Sequence, residues 1–127
     1  MGSAPSVSDA ELDVLKTLWE HGPATVRRIE ARLRRPRRRW AYTTVLTLLS
    51  RLREKGYVAS DTSGTAHVFR PAVSRDQLLR HGLSELADRI CDGTASPLVQ
   101  ALVKGRRFSA AEIAHFRKLL DELEQKE

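Results

Sequence analysis

WAYTTVLTLLSRLREKGYV, residues 40–58, decides how the rest of this chain is read. Val45, Leu48, Leu49 and Leu52 recur at helical spacing and predict an amphipathic helix over about residues 41–55. Gly56 stands where such a helix stops. At about 100° per residue, Thr43, Thr47, Ser50, Arg51 and Glu54 fall opposite the leucines. That face begins small and hydroxylated and ends ionic. Tyr57 and Val58 then open a stretch of different period, so a strand follows the helix.

Upstream, the residues just before this helix are RRPRRR, 34–39. Before them, Thr25 can cap a short helix that buries Val26, Ile29 and Leu33 and exposes Arg27, Arg28 and Arg32. Pro36 is expected to end it. Further back, Ser8 and Glu11 form a capping box, and Leu12, Leu15, Leu18 and Trp19 follow at helical spacing up to Gly22-Pro23. Ala24-Thr25 reads as a short extended link. Downstream, residues 57–62 and 65–70 read as two short strands, with Ser63-Gly64 as the hairpin turn and Pro71 closing the second.

Beyond Ser74 the pattern is helical again. Leu79, Leu83, Leu86 and Ile90 lie close to a heptad seam. Pro97 begins a helix carrying Leu98, Val99, Leu102 and Val103. Ser109 and Glu112 form a second capping box ahead of Ile113, Phe116, Leu120 and Leu123. The expected fold is mainly α with a small β-hairpin. Residues 1–73 make a winged helix-turn-helix DNA-binding domain, in which the third helix enters the major groove and the hairpin lies beside it. Residues 74–127 make a helical dimerisation region, because three short helices with heptad-like leucines have few other surfaces to cover.

Charge supports that division. The 127 residues carry a net charge of +6. Residues 1–75 hold 14 lysines and arginines against 7 acidic residues, whereas residues 76–127 hold 8 against 9. A positive field confined to the first half attracts a polyanion such as double-stranded DNA. Tyr42, Thr43, Thr44 and Thr47, with Arg51 further along, are the candidate base readers: small hydroxylated residues let the backbone approach base edges, and threonine can meet either kind of base. Arg27, Arg28, Arg37, Arg38 and Arg39 are the candidate phosphate contacts, with Thr65 and His67 of the hairpin; Arg34 and Arg35 belong to the same run. The candidate dimer surface is Leu79, Leu83, Leu86, Ile90, Leu98, Leu102, Ile113, Phe116, Leu120 and Leu123.

Catalysis and metal binding find no support in the residues. His21, His67, His81, His115 and Cys91 show no ligand spacing, and no phosphate loop or nucleophile motif is present. No enzyme, metal or cofactor is expected. The single cysteine forms no internal disulfide, no run approaches the roughly 20 apolar residues of a membrane span, and the N-terminus lacks signal-peptide form. A cytoplasmic protein without membrane insertion is expected. Two other readings stay open: a nonspecific nucleic-acid-binding protein in which the arginines do most of the binding, and a winged helix used for protein interaction.

SDAELDVLKTLWEHGPATVRRI at 8–29, the opening stretch at 40–58 and TAHVFRPAVS at 65–74 together resemble the penicillinase-repressor family (BlaI and MecI, with the copper-responsive CopY repressors as relatives). The similarity covers nearly the whole chain and is strongest over 8–74. It implies a homodimeric repressor on a palindromic operator, with the recognition helix around Tyr42 to Arg51, controlling β-lactamase-type antibiotic-response or related stress genes. It also implies a membrane sensor metalloprotease as partner and cleavage in the dimerisation region. The family's cut falls between asparagine and phenylalanine. The corresponding bond here is Ala101–Leu102, a departure that bears on the protease's specificity and leaves proteolytic control itself open. Copper-responsive relatives carry a C-terminal cysteine cluster, and Cys91 alone does not supply one.

Overall fold

A computed structural model describes residues 5–62 and 64–126. The order of elements is α1 (Asp9–His21), β1 (Ala24–Thr25), α2 (Val26–Leu33), α3 (Tyr42–Glu54), β2 (Val58–Asp61), β3 (Val68–Pro71), α4 (Arg75–Ile90), α5 (Ser96–Gly105) and α6 (Ala110–Gln125). Two compact units divide the chain within α4, after Leu83. The expected boundary at 73/74 lies at the start of that helix.

In the first unit, local signals set the helix ends. Ser8 and Glu11 close the capping box on α1, and the Thr25 side chain accepts from the Arg28 backbone N–H at the start of α2. Gly22 and Gly56 follow α1 and α3 at φ 84° and 86°, a left-handed conformation that favours glycine. The three helices pack their apolar stripes together: Val14, Leu15 and Leu18 of α1 meet Val26, Ile29 and Leu33 of α2 and Val45, Leu48, Leu49 and Leu52 of α3. Phe69 from β3, at 1% exposure, completes this core.

The sheet has one strand more than the hairpin expected from the sequence. Its order is β1-β3-β2, all antiparallel. Ala24 pairs with Phe69 and Thr25 with Val68, so the residues read as a link form an edge strand. Two residues are too few to show strand periodicity, and the pairing depends on residues far along the chain. The strands are also shorter than expected. Thr65 and His67 precede β3 instead of lying within it. Ser63 lies outside the described residues.

A further difference concerns the end of α2. The helix stops at Leu33, ahead of Pro36. Arg35 and Arg38 exchange backbone hydrogen bonds at 2.9 and 3.0 Å, with Pro36-Arg37 at the tip of a tight turn. The wing's exit is held as well: Trp19 Nε1 donates to the Val73 carbonyl at 2.8 Å, and Val73 and Leu78 pack on the core. Ser74 and Gln77 then bond reciprocally at the start of α4.

The second unit, from Ser84 onward, contains the last turns of α4, then α5 and α6. The Ser109–Glu112 capping box starts α6 as expected. Phe108 and Phe116 meet edge to face at 5.2 Å. Among the described residues of this unit only Ala87 is buried. Of the residues expected to cover a partner, Leu98 of α5 is half-buried, and Leu79, Leu83, Leu86 and Ile90 of α4, Leu102 of α5, and Ile113, Phe116, Leu120 and Leu123 of α6 are exposed.

Candidate nucleic-acid interface

The surface of interest is built on α3. Its buried stripe fixes the helix against α1 and α2, which leaves Tyr42, Thr43, Thr44, Thr47 and Arg51 exposed. Ala41 supplies no side-chain cap, so the first backbone N–H groups of α3 have no side-chain acceptor there. An uncapped helix start carries partial positive charge suited to an anion. Thr47 Oγ1 donates to the Thr43 carbonyl at 2.9 Å. Its hydroxyl proton is thereby committed, and the side chain offers outward a lone pair and a methyl group. Arg53 ties α3 to β2 by donating to Ser60 Oγ at 3.1 Å.

Beside this helix lies an open groove. One wall is Thr25, Val26 and Arg27 at the start of α2, another is Tyr42 and Leu46 of α3, and the third is Thr65, Ala66 and His67 ahead of β3, with Phe69 below. The Arg27 guanidinium sits 5.2 Å from the centre of the Tyr42 ring, a cation–π distance. The fold thus brings together four residues singled out from the sequence: Arg27, Tyr42, Thr65 and His67. Leu46 was missed. Its spacing excludes it from the buried stripe, and an apolar residue on a polar face carries no signal of its own.

The arginine run is sorted into distinct roles. Arg35 Nη1 donates to the carbonyls of Arg32 and Arg34, at 2.9 and 2.8 Å, and closes the end of α2. Arg34 pairs with Glu30 one turn back. Arg38 points inward: it bonds the Asp13 carboxylate of α1 and the Leu33 carbonyl, and its guanidinium lies 4.3 Å from the Trp40 ring centre. Arg37, at the tip of the turn, and Arg39 are exposed, as are Arg27 and Arg28.

A partly buried ion pair ties the end of α3 to α1, away from this surface. Glu11, at 2% exposure, accepts from Lys55 Nζ at 2.7 and 2.8 Å, and Lys55 also donates to the Ser6 carbonyl. Burial pushes the Glu11 pKa up. The hydrogen bonds from Lys55 and Ser8, with the Lys55 charge, more than offset this and hold it below its usual value. Among the described residues no group of three His, Cys, Asp or Glu side chains is placed to hold a metal, and no helix is long and apolar enough to cross a membrane.

The fold and this surface define a winged-helix DNA-binding protein of the transcription-regulator class. The chain belongs to the penicillinase-repressor family: the sequence pattern of the family described as Penicillinase repressor matches residues 7–122. Over 122 residues it is 26% identical to the penicillinase repressor of Bacillus licheniformis, covering 96% of this chain and 94% of that protein. It is 35% identical over 127 residues to the transcriptional regulator BlaI of Mycobacterium tuberculosis, covering 98% and 89%. The solution structure of the DNA-binding domain of the repressor BlaI matches with a TM-score of 0.51 at 30% identity, over 61% of this chain and 93% of that one. The family consists of transcriptional repressors, not enzymes.

Proposed function

We propose that this chain is a homodimeric repressor that reads a palindromic operator by placing α3 in the major groove. The observation that carries this reading is the exposed, hydroxylated N-terminal half of α3, backed by the leucines on its other face and flanked by Arg27 and by Thr65, Ala66 and His67. Tyr42, Thr43, Thr44, Thr47 and Arg51 meet base edges. Arg27, Arg28, Arg37 and Arg39, with Thr65 and His67, meet phosphates on either side. Arg38 acts differently: bound to Asp13, it positions the turn that carries Arg37 and Arg39.

The apolar faces of α4, α5 and α6 supply the dimer. Residues 1–73 then act as the DNA-binding part and 74–127 as the dimerisation part. Two copies related by a twofold axis would place their α3 helices one helical turn of DNA apart, about 34–36 Å. By kinship with relatives named for penicillinase, the regulated genes are of the β-lactamase-type antibiotic-response class, and the protein works in the cytoplasm on its operator. A membrane sensor protease that cuts the Ala101–Leu102 bond is the release step in this reading. That bond lies in α5 with both residues exposed, and α5 must unwind locally to present it as an extended segment.

Selection of bound sites from random duplexes by the full chain tests the reading. The expected result is an inverted repeat with half-sites one turn apart. In the selected site, Thr44→Ala or Thr47→Ala should lower discrimination against random DNA by about tenfold, within the usual 1–3 kcal/mol of a base contact. Equal losses on operator and random DNA would remove α3 from base readout.

A further inference from the structure

We infer that Leu46 is a specificity-determining residue, selecting a thymine in each half-site by packing on its C5 methyl group. The inference rests on the reading that α3 lies in the major groove, and it adds a base and a chemical reason to it.

Among the described residues ahead of α4, Tyr42 and Leu46 are the only large apolar side chains that are exposed, at 40% and 38%. They stand four residues apart on a helix and therefore adjoin on one edge of α3. Both edge the same groove, opposite Thr65, Ala66 and His67. A lone surface leucine would mean little. Here two apolar groups share a concave surface beside the polar helix face, and Arg27, held over the Tyr42 ring, places a cation at its lip. A DNA strand entering the groove would set a phosphate near Arg27 and a base edge near Leu46.

The chemistry of the base edges then selects among bases. In the major groove guanine presents two acceptors, cytosine an amino donor, and adenine an acceptor and a donor; thymine adds a methyl group to its one acceptor. Leu46 has no polar atom to pair with any of them. A cytosine or adenine amino group pressed against it would lose water without gaining a partner, which costs free energy. A thymine methyl would instead be buried favourably. Attraction for one base and exclusion of the others act at the same position. Thr47, one residue on, is distinct because it retains a lone pair for a donor.

The test uses the full chain and the site it selects from random duplexes. Each thymine is replaced in turn, in both half-sites, by deoxyuridine, which removes only the methyl group, and affinity is followed by fluorescence anisotropy. The expected result is one thymine per half-site whose replacement weakens wild-type binding about fourfold for each half-site, the worth of one buried methyl. Leu46→Ala should bind more weakly, melt as wild type does, and lose sensitivity at that thymine alone. 5-Methylcytosine at that position should bind the wild type better than cytosine does. If no thymine is methyl-sensitive, or if Thr44→Ala or Thr47→Ala removes the sensitivity while Leu46→Ala retains it, the role of Leu46 is overturned and the α3 reading stands. If no preferred site emerges, both are overturned.

Discussion

The two compact units treat their apolar residues in opposite ways. Up to Leu83, the leucines and valines of α1, α2 and α3 close around Phe69, and outside α4 only Tyr42 and Leu46 remain exposed among the large apolar side chains described. From Ser84 onward the apolar stripes of α4, α5 and α6 are open, with Ile90 at 70% exposure, and among the described residues only Ala87 is buried. Both halves use the same helical periodicity and the same serine capping boxes. The difference is that one set of stripes finds complementary faces within the chain and the other does not. Apolar area left open on this scale is characteristic of an interface; covered by a second copy, such a region would have a stability that depends on protein concentration.

The comparison is sharpest at Phe69. Phe69→Ala should destabilise the first unit by about 3–5 kcal/mol at any protein concentration, read by urea or thermal unfolding. Leu120→Ala should act instead through association, with a melting temperature that depends on protein concentration more steeply than in wild type. A concentration-independent loss at Leu120 as large as that at Phe69 would mean that the second unit closes its own core.

Comparable in size is the ion pair that secures α3. Lys55→Met leaves the Glu11 carboxylate buried without its partner and should cost about 3–5 kcal/mol; adding Glu11→Gln should recover much of the loss. The pH dependence has a definite sign. Glu11 titrates lower in the folded protein than its ordinary value of 4.5, so its contribution is present above that value and is lost as pH falls through the folded pKa. Glu11→Gln should flatten the acid side of the stability profile. An unchanged acid side would place the acid sensitivity in other carboxylates.

Breaking the open faces should leave the first unit intact. Leu86→Glu with Leu120→Glu should give a monomer by sedimentation, retain the melting of the α1–α3 core, and lower affinity for a palindrome by about a hundredfold because binding is no longer bivalent. Affinity for a single half-site should barely change. If the doubly substituted chain still sediments as a dimer, association uses another surface.

The smallest effects separate the arginines. Neutralising Arg37 and Arg39 should weaken binding to every DNA sequence and reduce the salt slope by about one for each phosphate that no longer meets a cation. Arg38→Gln should lower thermal stability, because the Asp13 bond is broken, more than it changes the salt slope. The reverse pattern would exchange their roles.

Much of the framework could be read along the chain. The capping residues Ser8, Thr25 and Ser109, the glycines after α1 and α3, and the stripe of Val45, Leu48, Leu49 and Leu52 all act over one or two helical turns. Caps and periodicity are local by nature, so they place helices and their buried faces without knowledge of distant residues. The same signals marked the exposed face of α3 and the leucines left over in α4 to α6.

What the sequence could not decide lies in the pairing of distant residues. Ala24-Thr25 becomes a strand only because Phe69 and Val68 arrive beside it. The run at 34–39 is almost uniform as text, yet Arg38 turns inward because Asp13, 25 positions away, meets it and Trp40 lies beneath it. Leu46 edges a groove only because the start of α2 and Thr65, Ala66 and His67 come beside it. The sequence by itself determined the helices, their caps and the sign of the charged half. Tertiary structure alone decided which side chains turn outward together, because that depends on packing and pairing across the chain, and no local pattern encodes the partner.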